Sequence, residues 1–392
     1  MKVTASQVQE LNNGKKIKVT ASEAQELKNV LKSIPDKRKV NGLRHSQASV
    51  LAIAICAVLS GCRSFIAIGE WAGRSAQNMR KRLGCYFHQT KQCFTAPSEP
   101  AIRRVLQSAD IEVMEPAFNN WLSSLIEEGQ YEALAVDGKT LKGARDADNK
   151  QVCLLSAVLH CQGITIAQLR VDSKTNEIPT LRTLLAPLNI KGKVVTADAL
   201  HTQKETAKYL VEEKEAHYLF TVKDNQPTLR ADIEALKLDK EAPHYETTEK
   251  GHGRVESRNI WVSTELNDYL DFPYVGQVFC IKRQVYDCKK QSEREETVYG
   301  ITDLSYEEAS PERVLKLNRG HWEIENRSHY VRDVTFDEDR SQVRTQNGPQ
   351  VMASLRNFAI GTLRIVKKAE NIASALRDIA AKPRLAMQMI GF

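Results

Sequence analysis

Two short apolar runs in this sequence each stop at an aspartate: EALAVD at 132–137 and KVVTAD at 193–198. Runs of this length and composition predict buried strands, and in open α/β sheets the reactive groups collect at the carboxyl ends of strands. If the two strands lie side by side and parallel, Asp137 and Asp198 become neighbours. Either alone has a plainer role, since Asp137 precedes Gly138 and could open a turn by bonding its own backbone. Two at matching strand ends weaken that alternative. A pair of carboxylates in a partly apolar pocket repel, so one stays protonated unless a cation neutralises them. Mg²⁺ suits such a pair, because it takes oxygen ligands and is held by one or two carboxylates plus substrate phosphate oxygens. Two such ions about 3.5–4 Å apart can activate a hydroxyl on one side of a phosphodiester and stabilise the departing oxygen on the other. Holding both calls for a third carboxylate.

The segment HWEIENRSHYVRD at 321–333 offers two. On a helix, residues i, i+4 and i+7 share a face, so Glu325, His329 and Arg332 point together, with Trp322 at i−3. Glu323 lies about 200° round the axis from Glu325. With Trp322 packed at the edge of a core, Glu325 is the inward glutamate and Glu323 the solvated one. That both are surface helix formers is the alternative this segment leaves open.

The elements that must position these groups follow from periodicity. From Arg44 to about Glu128 the apolar spacing is helical, through VLAIAICAVL, SFIAIGEWA and PAIRRVLQSADIEVMEPAFNNWLSSLIEE. The pattern then changes. VCLLSAVLH (152–160) and ITIAQLRV (164–171) predict a hairpin around CQG, and HYLFTV (217–222) a fifth strand. IPTLRTLLAPL and TQKETAKYLVEEKEA are the helices between. Residues 224 to about 316 carry β-branched and aromatic residues at strand spacing in NIWVSTEL, YVGQVFCIKRQVYDC and EETVYGITDL, a β-rich insertion. Helical spacing resumes at PERVLKLNRGHWEIEN and again from Gly348 to the end. The first residues hold a tandem duplication, KVTASQVQEL at 2–11 and KVTASEAQEL at 18–27, too few copies for a solenoid. One copy has the form of a capped helix start.

At 392 residues, two or three structural units are expected. With 42% hydrophobic and 27% charged residues the composition is that of a soluble globular protein, and the longest apolar run is far below membrane-spanning length. Without an export signal, and with eight cysteines scattered without a CxxC pair, a cytoplasmic protein with reduced thiols is expected. The net charge of +7 is localised: residues 340–392 hold nine Lys/Arg against two Asp/Glu. RSAQNMRKRLGCYFHQTKQ at 74–92 holds five more with no acid. Two basic zones suit a polyanion such as DNA, and equally a solvated helix face.

The ordered set AVDGKTLKGA, KTNEIP, VVTADALHTQ, LFTVKDNQPTL, HGRVESR and RGHWEIENRSHYVRDVTFDEDRS closely resembles the DDE transposases of bacterial insertion sequences, in particular the group that includes the H-repeat-associated proteins. The resemblance runs from about residue 30 to 370 and takes in GLRHSQASVLAIAICAVLSG and APSEPAIRRVLQ. It implies an α/β protein with an RNase H-like mixed sheet and a β-rich insertion, preceded by an all-helical N-terminal domain and followed by a basic helical C-terminal segment. The expected layout is an extension at 1–29, a helical domain for DNA binding or assembly at 30–130, the first part of the catalytic core at 131–223, the insertion at 224–316, and core completion with the basic segment at 317–392. Asp137, Asp198 and Glu325 are the implied catalytic and metal-binding triad, with Asp137 bridging two Mg²⁺ ions, Asp198 holding one and Glu325 the other, and Mn²⁺ able to substitute.

The wider group has a basic residue four before that glutamate and another seven after it, which here fall on His321 and Arg332. Lys139 beside the site, His252 and Arg254 in the insertion, and Arg340, Arg344 and Arg356 beyond the helix are the other implied DNA contacts. The implied activity is cutting at the element's terminal inverted repeats and joining the 3′-hydroxyl to target DNA, both double-stranded, by a homodimer or larger assembly that pairs two ends. An RNase H-like nuclease that no longer transposes and a transposase-derived DNA-binding regulator are the competing readings.

Overall fold

The computed structural model describes residues 19–38, 43–126, 131–145, 149–171, 177–251 and 253–392. The chain divides into two compact units, Met1–Glu127 with Leu141–Val152 and Tyr330–Phe392, and Glu128–Thr140 with Cys153–His329.

The first unit is mainly helical. Helix α1 (Ala21–Ser33) opens with Thr20, whose side chain caps the Glu23 N–H while Glu23 reaches back to the Thr20 N–H. The reciprocal bonds make the second repeat copy a capped helix start. The first copy lies outside the described residues. Helices α2 (Gln47–Leu59), α3 (Phe65–Arg74) and α4 (Gln77–Arg82), a small hairpin of β1 (Tyr86–His88) and β2 (Cys93–Thr95), and helices α5 (Glu99–Ser108) and α6 (Ile111–Ser124) follow. From Ser49 to Leu59 every residue of α2 is buried, as expected of a helix that is apolar on all sides.

The second unit is built on a nine-stranded sheet with order β5-β4-β3-β6-β7-β11-β10-β9-β8. Its strands are β3 (Ala133–Arg145), whose last residues belong to the first unit, β4 (Gln151–Leu159), β5 (Thr165–Val171), β6 (Val194–Ala197), β7 (His217–Val222), β8 (Tyr245–Gly251), β9 (Arg254–Ser263), β10 (Gln277–Asp287) and β11 (Ser292–Thr302). β3, β6 and β7 are parallel, and β4 pairs antiparallel with β5 across the expected turn at Cys161–Gly163. The intervening helices are α7 (Glu177–Leu185), α8 (Lys204–Lys208) and α9 (Pro227–Ala235). The β-rich stretch does not stand apart: β11 joins β7 antiparallel, so β8–β11 extend the same sheet as a meander.

Helix α10 (Pro311–Glu323) starts at Ser310, whose side chain accepts the Arg313 N–H. It lays Val314, Leu315 and Leu317 against Ala133, Val194, Leu219, Ile260, Phe279 and Ile281 of the sheet. It continues as a π-helical turn, Ile324–His329. Ile324 seats on Ala135 and Val158, which fixes the position of the next residue, Glu325.

The expected division differs at the C-terminus. Helix α11 (Gly348–Ile365) is buried from Gly348 through Leu363 and packs on α2 and α6, with Phe358 stacked 5.3 Å from Trp121. Two helices without a polar face cover one another, and helices α12 (Ile372–Ala381) and α13 (Arg384–Met389) complete the same core. The residues after 329 therefore belong with the N-terminal helices. All eight cysteines are free, and among the described residues no helix is long and apolar enough to cross a membrane.

Candidate active site

Strands β3 and β6 run parallel in a register that pairs Val136 with Ala197, so Asp137 and Asp198 stand at the next step on adjacent chains. At that spacing their Cα atoms are about 5 Å apart. Only Asp198 ends a strand, however. β3 continues through Asp137 to Arg145, beyond the last residue of the four-residue β6, so Asp137 lies where β3 outruns its partner. DGKTLKGAR alternates buried and exposed residues over Lys139–Lys142, a strand pattern that the apparent stop at Asp137 hid.

Glu325 and His329 come from the π-helical turn. Nδ1 of His329 lies 3.5 Å from Oε1 of Glu325 and 3.6 Å from Oδ2 of Asp137, and the ligand atoms of the three residues all lie within 4.8 Å of one another. His329 is buried, while the Glu325 side chain is 56% exposed. Asp137 also accepts the Gly138 N–H at 2.9 Å. His329, foremost, together with the Lys139 ammonium and a hydrogen bond shared with Asp137, holds the Glu325 carboxyl below the ordinary carboxylate range against the opposing effect of burial. Two carboxylates and an imidazole form a donor set suited to a divalent cation. The ring nitrogen suits Mn²⁺ as well as the carboxylates suit Mg²⁺.

Asp198 stands beside this cluster without being part of it. Its Oδ1 accepts the Leu200 N–H at 3.1 Å and caps the short 3₁₀ turn Ala199–His201, which leaves its second oxygen for another partner. The KDNQ motif braces the same loop: Asn225 donates to the Ala199 carbonyl at 2.5 Å and Gln226 to that of Thr202 at 2.8 Å.

The two glutamates face different ways. Glu323 accepts the Cys161 N–H at 2.7 Å and, with Trp322 and Gly320, lines a cleft of 870 Å³ that excludes Asp137, Asp198 and Glu325. Trp322 does not pack into the core edge. It is 51% exposed, and Ile324 supplies the apolar anchor instead.

The structure gives three of the implied DNA contacts partners within the protein. His321 is half-buried with Nδ1 3.2 Å from Thr196 Oγ1, and burial pushes its pKa down to about 4. It is neutral at pH 7 and gives no charge to a phosphate. Arg332 and Arg356 are buried and pair with opposite oxygens of Glu338, at 2.8 and 2.7 Å. In the i→i+5 pattern the chain winds less per residue than in an α-helix, so Arg332 no longer returns to the face of Glu325. Lys139 is buried, close enough to Glu325 for its charge to be felt there. Arg254 is exposed and 3.5 Å from Asp287, Arg340 is 85% exposed beside Asp337, and Arg344 is exposed. His252 lies outside the described residues.

Sequence reasoning placed His329 on the face of Glu325 without giving it a ligand role. The i, i+4 spacing that put it there was the available signal.

Residues 128–361 match the family model described as a transposase DDE domain, and residues 28–122 match the model described as associated with it. Among curated proteins, the chain is 28% identical over 344 residues to the Escherichia coli K12 protein named "H repeat-associated putative transposase YhhI", spanning 84% of this chain and 88% of that one. It is 27% identical over 344 residues to "Putative transposase YncI" of Escherichia coli O157:H7, spanning 85% and 86%. A piggyBac transposase in a synaptic complex with hairpin DNA aligns at 12% identity with a TM-score of 0.42, over 96% of this chain and 79% of that one. The matched DDE domain covers more than half of the chain and contains Asp137, Asp198, Glu325 and His329, and the protein belongs to the DDE transposase family.

Proposed function

We propose that this transposase cuts double-stranded DNA at the terminal inverted repeats of its own element and joins the freed 3′-hydroxyl to target DNA. Asp137, Asp198 and Glu325 form its acidic site. The observation that carries the reading is the convergence of Asp137 and Glu325, from a strand and a distant helix, on one point beside His329, with Asp198 one register step away. A parallel β3-β6-β7 centre with the glutamate delivered by a helix lying on the sheet supports an RNase H-like core.

Divalent cations, Mg²⁺ with Mn²⁺ as substitute, would be held by Asp137, Glu325 and the second oxygen of Asp198. When bound they would raise the nucleophilicity of a hydroxyl and stabilise the departing phosphodiester oxygen. The chain's own residues arrange the rest. The Asp198 cap keeps one carboxylate oxygen engaged and aims the other. Lys139 supplies positive charge at the edge of the cluster, and His329 fills the space between the carboxylates. Ile324 and the sheet beneath it fix the height of Glu325. Arg254, Arg340 and Arg344 remain as contacts for the DNA backbone, and a dimer or larger assembly pairs the two ends.

The test is incubation of purified protein with labelled terminal DNA in Mg²⁺ or Ca²⁺. Cleavage and strand-transfer products in Mg²⁺, with binding alone in Ca²⁺, are expected. Nicking without joined products would support the nuclease reading, and binding without any cleavage the regulator reading.

A further inference from the structure

Two buried or half-buried histidines meet at one threonine hydroxyl that the proposed chemistry does not use. Thr196, fully buried on β6, places Oγ1 2.9 Å from Nε2 of His160 and 3.2 Å from Nδ1 of His321, with a longer contact of 3.4 Å to the Leu134 carbonyl. A carbonyl only accepts, so with the single hydroxyl hydrogen given to Leu134 the oxygen's two remaining sites take an N–H from each imidazole. The pattern is complete with both rings neutral, the state that burial enforces: His160 is pushed down to about 3 and His321 to about 4. Close approach is built in. A Cβ on Gly320, the residue before His321, would sit 2.2 Å from Nδ1 of His160, so α10 can lie this near the end of β4 only with glycine there.

The four groups come from four different places in the chain, and the acidic residues lie on, or within two residues of the end of, three of the elements concerned. Leu134 lies on β3 three residues before Asp137, Thr196 lies on β6 two residues before Asp198, which follows that strand, and His321 lies on α10 four residues before Glu325 on the π-helical turn that continues it. His160 closes the set from the residue after β4.

We propose that the Thr196 hydroxyl, with His160 and His321, is a positioning hub that sets the mutual distances of Asp137, Asp198 and Glu325 by tying together the elements that carry them. The claim rests on the acidic-site reading above. Interactions of this kind behind a metal site are worth about 10–100-fold in metal affinity or activity.

The test compares wild type, Thr196→Val, Thr196→Ser and His321→Phe in thermal unfolding, terminal-DNA binding in Ca²⁺, Mn²⁺ affinity by titration calorimetry, and DNA cleavage. Valine keeps the shape and removes the hydroxyl, whereas serine keeps the hydroxyl. Thr196→Val is expected to fold and bind DNA, to lose about 10-fold or more in Mn²⁺ affinity and about 10–100-fold in cleavage, and Thr196→Ser to restore both. His321→Phe is expected to repeat the loss. Wild-type Mn²⁺ affinity and cleavage in a folded Thr196→Val overturn the proposal. So does failure of both Thr196→Val and His321→Phe to fold, which would make the hub a determinant of stability rather than of position. If wild type itself binds no Mn²⁺ and cleaves nothing, the acidic-site reading fails, and the positioning role falls with it.

Discussion

The chain carries two charged clusters within a few residues of each other, one at Glu325 and one at Arg332 and Glu338, and they are built in opposite ways. Around Glu338 the charges are buried: two guanidiniums and one carboxylate, each carboxylate oxygen facing one arginine. Around Glu325 the cluster is more open. Two carboxylates share one imidazole and a lysine at the edge, and the Glu325 side chain is more than half exposed. Buried ion pairs in a dry core tie elements together, and removing the shared carboxylate leaves uncompensated buried charge. Carboxylates gathered on one point, with one of them open to solvent, are what a site needs if a metal and a phosphate are to enter. The difference sets apart arginines engaged inside the fold from carboxylates that could still take a ligand.

Substitutions should divide along the same line. The largest effect is expected from Glu325→Gln, which should lower DNA cleavage by about 10³-fold or more with little change in thermal stability. Glu323→Gln should be nearly silent, because the amide still accepts the Cys161 N–H. Equal losses in a cleavage assay would undo the distinction between the two helix faces. Glu338→Gln should do the reverse, destabilising the protein by about 3–5 kcal/mol in denaturant unfolding while the remaining folded molecules keep their cleavage rate. An unchanged unfolding midpoint would remove the structural half of the contrast.

A smaller effect concerns pH. The folded-state values of His160 and His321, about 3 and about 4, lie below the ordinary 6.5. The unfolded chain therefore binds protons between those limits that the folded chain does not. Stability is full above 6.5 and falls as the pH drops toward 4, by on the order of 1–2 kcal/mol per histidine between pH 7 and 5. His160→Asn combined with His321→Asn should flatten that part of the melting-temperature profile. A slope that persists unchanged would place the titration elsewhere.

The sequence made some of this architecture legible and concealed the rest. HYLFTV, VVTA and the CQG hairpin were readable because buried strands announce themselves by apolar runs bounded by turns. The adjacency of Asp137 and Asp198 followed once those strands proved parallel neighbours. The length of β3 was hidden, because an Asp-Gly pair resembles a stop while the alternation beyond it is weak. Burial of Arg332 and Arg356 was not legible either. Charge gives the sign of a group and not its depth, and the counter-ion Glu338 could be recognised only in three dimensions. The π-helical turn has no periodicity that a helical reading at 3.6 residues per turn would detect. The basic position four before Glu325 turned out to hold a neutral histidine engaged with Thr196.

The central claim is that the carboxylates gathered at Asp137 are the DNA-cleaving centre. Cleavage of labelled terminal DNA by Asp137→Asn in Mg²⁺, with binding measured in parallel, tests it most directly. Loss of both hydrolysis and strand transfer with end binding largely retained is the predicted result, and a folded Asp137→Asn protein that still nicks terminal DNA at the wild-type rate would contradict it.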